Sequence, residues 1–359
     1  MVKYIGSKRV LLPRICGLVE RVGGVRTVAD LFSGTSRVGH ALKGLGYRVI
    51  ANDNAAFAHC LARCYVQSDR SRHERHARML VDEFNALAGA PGWFTETYCE
   101  RSRFFHPGNG ARIEAVREAI ARKGLGPELE SVMLTSLMEA ADRVDSTTGV
   151  QMAYLKSWAP RAHNALALRV PDLVERPAGG ACAAWCLDAA EAARRVEADL
   201  VYLDPPYNQH SYLGNYHIWE TLVRWDAPEV YGVACKRTDC KTRKSAFNSK
   251  RGALDAMRAV LGAIRSAHVL VSFNDEGYID RSEMEAMLGA RGAVRTIGHE
   301  HARYVGARIG IHNPRGERVG RVGRLRNTEY LYLVTSDPAA LTGAGSGRGP
   351  GDGAMSGAA

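Results

Sequence analysis

Three apolar segments of this chain each carry an aspartate at or beside their last position, and this recurrence limits the possible folds more than any other feature. The segments and their aspartates are, in order, residues 25–31 with Asp30, residues 47–53 with Asp53 and residues 198–204 with Asp204. Runs of β-branched and other apolar residues of this length are typical of buried strands. In a parallel sheet, the side chains that follow such strands gather at the carboxyl edge, where ligands bind.

The apolar residues between the strands predict how the sheet is connected. Val38 and Leu42 recur at the spacing of one helix face between the first two strands, and Gly46 ends that pattern. A strand, a helix and a second strand in this order predict a βαβ unit with a right-handed crossover. Two further apolar segments, residues 267–274 and 329–334, extend the predicted sheet.

The middle of the chain differs from the rest in composition and in the period of its apolar residues. Residues 67–177 are polar and rich in arginine, show helical periodicity and contain no convincing strand, so we predict a mainly helical insertion. One α/β domain would then be built from residues 1–66 and 178–336, on both sides of the insertion. Residues 337–359 are mostly Gly, Ala and Ser and cannot offset their ordering entropy, so we expect a disordered tail.

The charge balance favours a polyanionic partner. There are 48 lysines and arginines against 38 acidic residues, a formal net charge of +10, although a solvated basic surface would also account for this excess. No apolar run approaches the roughly 18 to 20 residues that cross a bilayer, and the first residues lack the pattern of a signal peptide. We therefore expect a soluble cytoplasmic chain. Its eight cysteines are too sparse for a disulfide scaffold, and their spacings do not match zinc knuckles, so no metal site is expected.

The turn after the first strand indicates a nucleotide site. Gly34 lies in the turn and Gly39 in the first turns of the next helix, where a missing side chain lets a ligand approach the backbone. Ser36 replaces the middle glycine of the dinucleotide fingerprint, so an adenosyl group is favoured over a pyrophosphate. Asp53 can accept hydrogen bonds from both hydroxyls of a ribose. The alternative role for Asp53 is a helix N-cap.

The sharpest signal is the tetrapeptide Asp204-Pro205-Pro206-Tyr207 at the end of the third segment. Consecutive prolines cannot continue a ladder, and they turn the chain rigidly out of the sheet with its carbonyls exposed. Such a turn offers a carboxylate, a backbone carbonyl and an aromatic face to one planar base. This combination suits an exocyclic amine. Hydrogen bonds from its two protons to Asp204 and a carbonyl shift electron density toward the nitrogen, while Tyr207 stacks on the ring.

These elements, in this order, resemble the N(6)-adenine-specific DNA methyltransferases, the class that includes the DNA adenine methylases. The resemblance covers most of the chain before the tail and implies an α/β fold with a Rossmann-like, S-adenosylmethionine-dependent methyltransferase sheet. The family's amino-terminal motif has a lysine, Lys8 here, that pairs with the methionine carboxylate. Asp188 occupies the position of an acid that faces the cofactor adenine, although it could equally cap a helix. The resemblance thus implies a cofactor site formed by Lys3, Tyr4, Gly6, Lys8, Asp30, Phe32, Gly34, Asp53 and Asp188.

The resemblance also implies the reaction, in which a methyl group moves from S-adenosylmethionine to the 6-amino nitrogen of a flipped DNA adenine. Asp204 and the backbone at Pro205 and Pro206 would align the amine, and Tyr207 would hold the base. Double-stranded DNA is then the partner, together with a cognate restriction endonuclease if the chain serves restriction–modification. Methylation of adenine in structured RNA and a non-catalytic nucleic-acid-binding module remain alternatives. Methylation of a protein glutamine is disfavoured, because the related tetrapeptide begins with asparagine.

Several parts of the chain carry residues suited to DNA. Residues 142–151 in the insertion form a polar loop able to read base edges, and residues 208–217 have side chains that could hold an extruded base. Residues 236–244 and 303–326 concentrate cations that suit phosphates, the second as a basic hairpin, with solvated loops as the alternative. The residues expected to contact DNA are Arg143, Gln151, Tyr212, Asn215, Tyr216, Lys236, Arg237, Arg303 and Arg315.

Overall fold

The computed structural model describes residues 1–302, 326–338 and 341. Strands alternate with helices on both sides of a long helical stretch. In the described part of the chain the strands are β1 Thr27–Asp30, β2 Arg48–Asn52, β3 Ala183–Trp185, β4 Leu200–Leu203, β5 Val230–Tyr231, β6 Lys236–Arg237, β7 His268–Asn274, β8 Ala293–Ala302 and β9 Arg326–Thr335.

The α-helices flank these strands and also fill the stretch between β2 and β3. In the same described residues they are α1 Leu12–Val22, α2 Arg37–Gly44, α3 Ala56–Ala62, α4 Arg70–Asn85, α5 Trp93–Thr95, α6 Pro107–Arg122, α7 Pro127–Arg143, α8 Ala189–Arg195, α9 Tyr212–Asn215, α10 His217–Arg224, α11 Ala253–Ala263 and α12 Arg281–Gly289.

Seven of these strands form one mixed sheet in the order β3-β2-β1-β4-β7-β9-β8. The strands from β3 to β7 in this order are parallel, and β9 runs antiparallel to both of its neighbours. Helices α1 and α2 cover one face of the sheet, and α8, α11 and α12 cover the other. The predicted α/β fold, with a parallel βαβ unit at its start, is therefore confirmed.

The sequence does not predict two strands of the sheet, β3 and β8. β3 has only three residues, Ala-Ala-Trp, which is too short to show a period. β8 lies at the edge of the sheet, and polar residues interrupt its apolar ones. Each of the five predicted strand segments does correspond to a strand, because each is apolar enough to be buried in the middle of a sheet.

Residues 67–177, all of which the structure describes, contain α4 to α7 and no strand of the sheet, as predicted. These helices share their core with the rest of the chain. Tyr98 and Phe105 of the insertion are fully buried in one cluster with Phe57 of α3 and Trp219 of α10. Burial of this cluster therefore holds the insertion against the helices of the sheet, while the domain boundaries stay a prediction.

None of the described helices is long and apolar enough to span a membrane. The predicted basic hairpin at residues 303–326 and the predicted tail at residues 337–359 fall almost wholly outside the described residues.

Glu114 of α6 fixes the start of α5 inside the insertion. Its buried carboxylate accepts hydrogen bonds from the backbone N–H groups of Gly92, Phe94 and Thr95 and from the Thr95 hydroxyl, at distances of 2.7 to 3.0 Å. A carboxylate that satisfies several buried donors contributes more than a surface ion pair, because removing it leaves every donor without an acceptor.

We predict that Glu114→Ala lowers the free energy of unfolding by about 3 kcal/mol, since buried donors would lose their acceptor. Urea denaturation followed by circular dichroism would measure the loss. Glu74→Ala is the matched control, because Glu74 pairs with Arg78 at the surface of α4 and its removal should cost at most about 0.5 kcal/mol. Equal losses in the two variants would contradict the role given to Glu114.

Candidate active site

The carboxyl edge of the parallel strands brings the three predicted aspartates to one cavity. Asp30 is the last residue of β1, Asp53 follows β2 and Asp204 follows β4. Because β1 pairs in parallel with both β2 and β4, the three side chains lie at the same edge of the sheet. All three line a cavity of about 380 Å³, which is within the size range of small-molecule sites.

The amino-terminal segment closes over the turn after β1 because two glycines permit a close approach. Gly34 has a φ of +50°, and a Cβ atom there would lie 3.4 Å from the Tyr4 ring. Gly6 has a φ of +77°, and a Cβ atom there would lie 2.9 Å from the Tyr212 hydroxyl oxygen. The left-handed backbone at both positions disfavours any residue other than glycine, so the two glycines predicted from the sequence shape this wall of the cavity.

A stack of three tyrosines supports the same wall. Tyr4 lies between Tyr212 and Tyr216, at ring-centroid distances of 5.1 and 4.6 Å and with ring planes within 15° of parallel. The Tyr216 hydroxyl accepts a hydrogen bond from the Ile5 N–H at 2.6 Å. Tyr4 and Tyr212 line the cavity, whereas Tyr216 is buried. The stack therefore joins the amino-terminal segment to the residues that follow the tetrapeptide.

Asp53 holds the glycine turn in place. Its Oδ2 accepts a hydrogen bond from the Gly34 N–H at 3.0 Å, and its Oδ1 accepts one from the Ala55 N–H at 3.0 Å. α3 begins at Ala56 with Ala55 as the N-cap residue, so the N-cap alternative for Asp53 is wrong. Burial raises the pKa of the Asp53 carboxyl, and the backbone hydrogen bonds oppose this rise. A carboxylate retains further acceptor sites, so binding of a ribose by Asp53 stays a prediction.

Asn52 and Asp188 organise the loops after β1 and β3. The Asn52 amide donates to the carbonyl oxygens of Leu31 and Leu187 at 3.2 Å each, and its oxygen accepts from the Leu187 N–H at 3.1 Å. Asp188 is exposed and caps α8 by accepting from the Ala190 N–H at 2.9 Å. It also lines the cavity, so the helix-cap role is present and the adenine-facing role stays a prediction.

Apolar side chains line the cavity as well. Phe32 packs edge to face against Phe247, with a centroid distance of 5.2 Å, and both line the cavity together with Leu187. An apolar surface with a few polar groups beside it suits a flat aromatic ring. The sequence resemblance indicates Phe32, whereas Phe247 lies far along the chain and was not predicted.

Five buried polar atoms of lining residues have no hydrogen-bond partner among the described residues: Ser7 Oγ, Asp30 Oδ1, Ser33 Oγ, Arg37 Nε and Tyr202 Oη. An unpaired buried polar atom is costly and calls for an explanation, so these atoms indicate where a polar ligand would bind. Burial raises the pKa of Asp30 well above its usual value, with a further contribution from Asp204. Burial lowers the pKa of the Arg37 guanidinium. Arg37 was not predicted, although its place directly after the glycine turn was an available signal.

Lys8 lies between two carboxylates. Its Nζ is 2.9 Å from Asp204 Oδ1 and 2.7 Å from Glu329 Oε1, and both Lys8 and Glu329 are buried. Because β9 is antiparallel, its beginning meets the carboxyl ends of the parallel strands, and Glu329 pairs with Asn274 at the end of β7. Glu329 was not predicted as a site residue. A charged residue at the start of an apolar strand was the available signal.

Burial and mutual interaction set the pKa values of these three groups. Burial raises the pKa of Asp204, Lys8 lowers it and Glu329 raises it, with a result of about 6. Burial alone would lower the pKa of Lys8, but the two carboxylates raise it well above its usual value. Burial alone would raise the pKa of Glu329, but Lys8 and hydrogen bonds from Ser272 and Asn274 hold it below its usual value. At neutral pH the group therefore consists of two carboxylates and one ammonium.

The tetrapeptide turns out of the sheet, and its residues face different ways. Asp204 and Pro206 line the cavity, and Pro205 is buried. Tyr207 is half-buried outside the lining, and its ring packs edge to face against Phe273 at a centroid distance of 6.3 Å. β4 ends at Leu203, directly before the tetrapeptide, as the prolines predict, and stacking of Tyr207 on a base stays a prediction.

Lys3 does not line the cavity. Its Nζ donates to the Asp142 carbonyl oxygen at 2.6 Å and lies 3.1 Å from Asp145 Oδ1, and its N–H donates to the Asp142 carboxylate at 3.0 Å. The expectation that Lys3 binds the cofactor is corrected for this reason. Two buried acids of the insertion hold its charge, so Lys3 ties the amino-terminal segment to the end of α7.

Three residues expected to contact DNA are buried. The Gln151 side-chain oxygen accepts from the Ile218 N–H at 2.9 Å, and the Asn215 carbonyl accepts from the Gln151 N–H at 2.8 Å. Gln151, Asn215 and Tyr216 are each less than one-tenth exposed. The expectation of direct DNA contact is corrected for these three residues, because their side chains are buried where the segment after the tetrapeptide packs onto the insertion loop.

Three of the cations expected to contact DNA lie in the described part of the chain, and their surroundings differ. Arg237 is buried, and its guanidinium lies 2.6 Å from Asp226 and 3.1 Å from Asp239. Its expected phosphate contact is corrected, since two carboxylates already neutralise it. Arg143 is half-buried and donates to a backbone carbonyl at 2.7 Å. Lys236 is half-buried, and its contact with DNA stays a prediction.

The basic segment 236–244 has an unpredicted second role, because residues 242–245 line the cavity. Arg243 pairs with the buried Glu220 at 2.8 Å, and Lys244 is exposed. The segment therefore forms a rim of the cavity as well as a basic surface. Arg303 and Arg315 lie outside the described residues.

Comparison with known proteins identifies a family. The family model described as D12 class N6 adenine-specific DNA methyltransferase matches residues 4–287. The modification methylase StsI of Streptococcus sanguinis is 29% identical over 304 residues, which cover 80% of this chain and 46% of the relative. The type II methyltransferase M.FokI of Planomicrobium okeanokoites is 30% identical over 313 residues, covering 82% and 48%. The type II methyltransferase M.NlaIII of Neisseria lactamica is 28% identical over 313 residues, covering 84% and 92%.

The chain spans about half the length of the first two of these relatives and most of the third. The match to the family model includes the amino-terminal motif, the glycine turn and the tetrapeptide, which are the elements that carry the resemblance seen in the sequence. A match over residues 4–287 includes the five parallel strands of the sheet and the whole insertion. The chain therefore belongs to the D12 class of N6 adenine-specific DNA methyltransferases.

Proposed function

We propose that the chain transfers a methyl group from S-adenosylmethionine to the 6-amino nitrogen of an adenine flipped out of double-stranded DNA. One observation carries this proposal: Asp204 of the tetrapeptide shares a cavity with the Gly34 turn and Asp53. The group proposed to hold the methyl acceptor and the groups proposed to hold the donor thus face the same space. Methyl transfer needs this closeness, because the attacking and leaving atoms must be aligned.

The cavity lining fits the different parts of S-adenosylmethionine. The apolar surface of Phe32 and Phe247 and the Asp188 carboxylate suit adenine, and Asp53 suits the ribose hydroxyls. The amino-acid end carries an ammonium and a carboxylate, which the unpartnered Asp30 Oδ1 and Arg37 Nε would complement. When bound, this cofactor supplies a methyl group on a positively charged sulfur.

Arg37 is the cation that we assign to the methionine carboxylate. The family resemblance suggested Lys8 for this role, but Lys8 already contacts Asp204 and Glu329 at 2.9 and 2.7 Å. Arg37 lines the cavity and has a buried Nε without a partner among the described residues. A guanidinium also presents a rigid set of donors that matches a carboxylate.

Asp204 is proposed to orient the acceptor amine. Its Oδ1 contacts Lys8, and a carboxylate keeps further acceptor sites for one amine proton, while a carbonyl of the Pro205-Pro206 segment takes the other. Holding both protons directs the nitrogen lone pair toward the methyl donor, so the protein contributes mainly orientation and charge placement. The proton released when the nitrogen–carbon bond forms passes to Asp204 or to water.

Site-specific modification of cytoplasmic DNA is the biological role that we propose. The names of the relatives support it, since StsI is a modification methylase and M.FokI and M.NlaIII are type II methyltransferases. A restriction endonuclease that recognises the same sequence would then be a functional partner. The DNA specificity in the family description favours DNA over RNA as the substrate.

We predict that Asp204→Ala lowers the rate of methyl transfer roughly 10²- to 10⁴-fold, because the amine loses its acceptor, while cofactor affinity changes little. Transfer of labelled methyl groups to unmethylated genomic DNA and calorimetric cofactor binding would measure the two effects. Asp255→Ala is the control, since the Asp255 side chain is 80% exposed on α11. A variant that retained most of its rate would contradict the role of Asp204.

Arg37→Met is predicted to weaken S-adenosylmethionine binding about 10-fold or more, because a charged hydrogen bond to the carboxylate is lost. Methylthioadenosine lacks the amino-acid end and should bind the variant and the parent protein alike. Titration calorimetry with both ligands gives this comparison without any turnover. Arg21→Met, at an exposed position of α1, is the control. Equal weakening of both ligands would mean that Arg37 does not bind the carboxylate.

The rim segment 236–244 suggests how the duplex is held. Lys241 and Lys244 are exposed, and Lys241 Nζ lies 4.0 Å from the centre of the Tyr231 ring. Exposed lysines beside a cavity for a flipped base are well placed for the flanking phosphates. Arg237 of the same segment is neutralised by Asp226 and Asp239, so we exclude it from this surface.

We predict that duplex affinity falls steeply as salt rises, and that Lys241→Ala with Lys244→Ala reduces the slope of log K against log[salt] by about two. Each lysine that releases one counterion contributes roughly one unit to this slope. Fluorescence anisotropy with a labelled duplex over a range of salt concentrations measures it. An unchanged slope in the double variant would remove these lysines from the DNA surface.

A further inference from the structure

The family resemblance does not explain the contact of Lys8 with Glu329. The Lys8 Nζ lies 2.7 Å from Glu329 Oε1 and 2.9 Å from Asp204 Oδ1. Lys8 belongs to the amino-terminal motif and Asp204 to the tetrapeptide, whereas Glu329 comes from the antiparallel strand β9. The side chain that faces the proposed reaction is therefore connected through Lys8 to a residue from the far end of the chain.

Glu329 is itself held firmly. The Ser272 hydroxyl donates to its Oε1 at 2.7 Å, and the Asn274 amide donates to its Oε2 at 3.1 Å. Ser272, Asn274 and Glu329 are all buried, and the two donors belong to β7, the strand paired with β9. Both oxygens of Glu329 thus have protein donors, and the carboxylate is fixed in the sheet.

We propose that Glu329 is a positioning residue, which holds the Lys8 ammonium against Asp204 and thereby sets the charge and orientation of the catalytic carboxylate. This inference rests on the proposed methyltransferase function. It gives Lys8 a role toward Asp204, because two of the three donors of the ammonium are directed at the two carboxylates. Lys8 and Glu329 then act on the reaction through Asp204.

The position of Lys8 between Asp204 and Glu329 affects the protonation of Asp204, which a purely structural ion pair would not do. Lys8 is the only cation within ion-pair distance of Asp204 among the described residues, and Glu329 is the carboxylate on its other side. Removing the cation should favour the protonated form of Asp204, whereas removing the second carboxylate should favour the ionised form. The two substitutions therefore act on Asp204 in opposite directions.

Other ionisable groups also face Asp204, and both substitutions leave them in place. They come from the amino-terminal segment, β1, β4, the tetrapeptide itself and the residues after it, and they are Tyr4, Asp30, Tyr202, Tyr207 and Tyr212. Asp30 is the carboxyl among them, and burial and Asp204 raise its pKa well above the usual value. These groups are the same in the parent protein and in both variants. Opposite changes in the pH dependence of the two variants are therefore due to Lys8 and Glu329.

The test is the pH dependence of kcat/KM for methylation of unmethylated genomic DNA by the full-length chain, which reports groups of the free enzyme. The parent protein should lose activity as the pH falls through about 6, the pKa of Asp204. In Glu329→Gln this acid limb should move to lower pH, and in Lys8→Met it should move to higher pH, each by about one pH unit. Glu300→Gln makes the same chemical change at an exposed position of β8 and should leave the limb in place.

Conservative variants keep the test decisive if Lys8→Met or Glu329→Gln fails to fold, as judged by circular dichroism. Lys8→Arg and Glu329→Asp retain the charges, so their acid limbs should stay within a fraction of a pH unit of the parent limb. Calorimetry with S-adenosylmethionine should show similar affinity for the parent and for Glu329→Gln.

The inference would be overturned if the acid limbs of Lys8→Met and Glu329→Gln moved in the same direction, or if neither limb moved. Displaced limbs in both charge-retaining variants would do the same. Absence of methyl transfer by the parent protein on any DNA would instead count against the proposed function. The two failures can therefore be told apart.

Discussion

One buried ammonium joins the parts of the chain that form the site. Lys8 comes from the amino-terminal motif, Asp204 from the turn after β4 and Glu329 from β9. Two carboxylates so close together would repel each other, and a buried lysine without a counter-ion would be driven to lose its proton. Placing the lysine between the carboxylates removes both problems. The cavity therefore depends on the sheet holding its antiparallel strand in register beside β7.

Helix α10 connects the cavity to the helical insertion. Trp219 packs into the core that the insertion shares with α3. The next residue, Glu220, is buried, accepts a hydrogen bond from the Phe57 N–H at 3.1 Å and pairs with Arg243 at 2.8 Å. The basic rim and the insertion are thus anchored on one short helix. A reaction that needs a base and a methyl donor in fixed relative positions benefits from such a common support.

The success of the sequence interpretation differed between the cofactor side and the DNA side of the site. Asp30, Asp53 and Asp204 could be located because each lies at or directly after the end of an apolar strand, and chain order alone places the ends of parallel strands at one edge. Gln151 and Arg237 were interpreted as DNA contacts because they are polar residues in polar or basic segments. Their partners could not be seen locally: Gln151 bonds to Ile218, 67 residues away, and Arg237 is neutralised by Asp226 across a bend of the chain.

The sequence by itself determined the parallel sheet, the glycine turn and the rigid tetrapeptide, because apolar runs, glycines and prolines act on the backbone within a few residues. Only the tertiary structure decided which polar side chains meet a ligand and which are neutralised within the protein. Lys8 and Glu329 are 321 residues apart in the chain and 2.7 Å apart in space. Ion pairing and burial depend on distance in the folded molecule, and that distance follows from the strand order and from the reversed direction of β9.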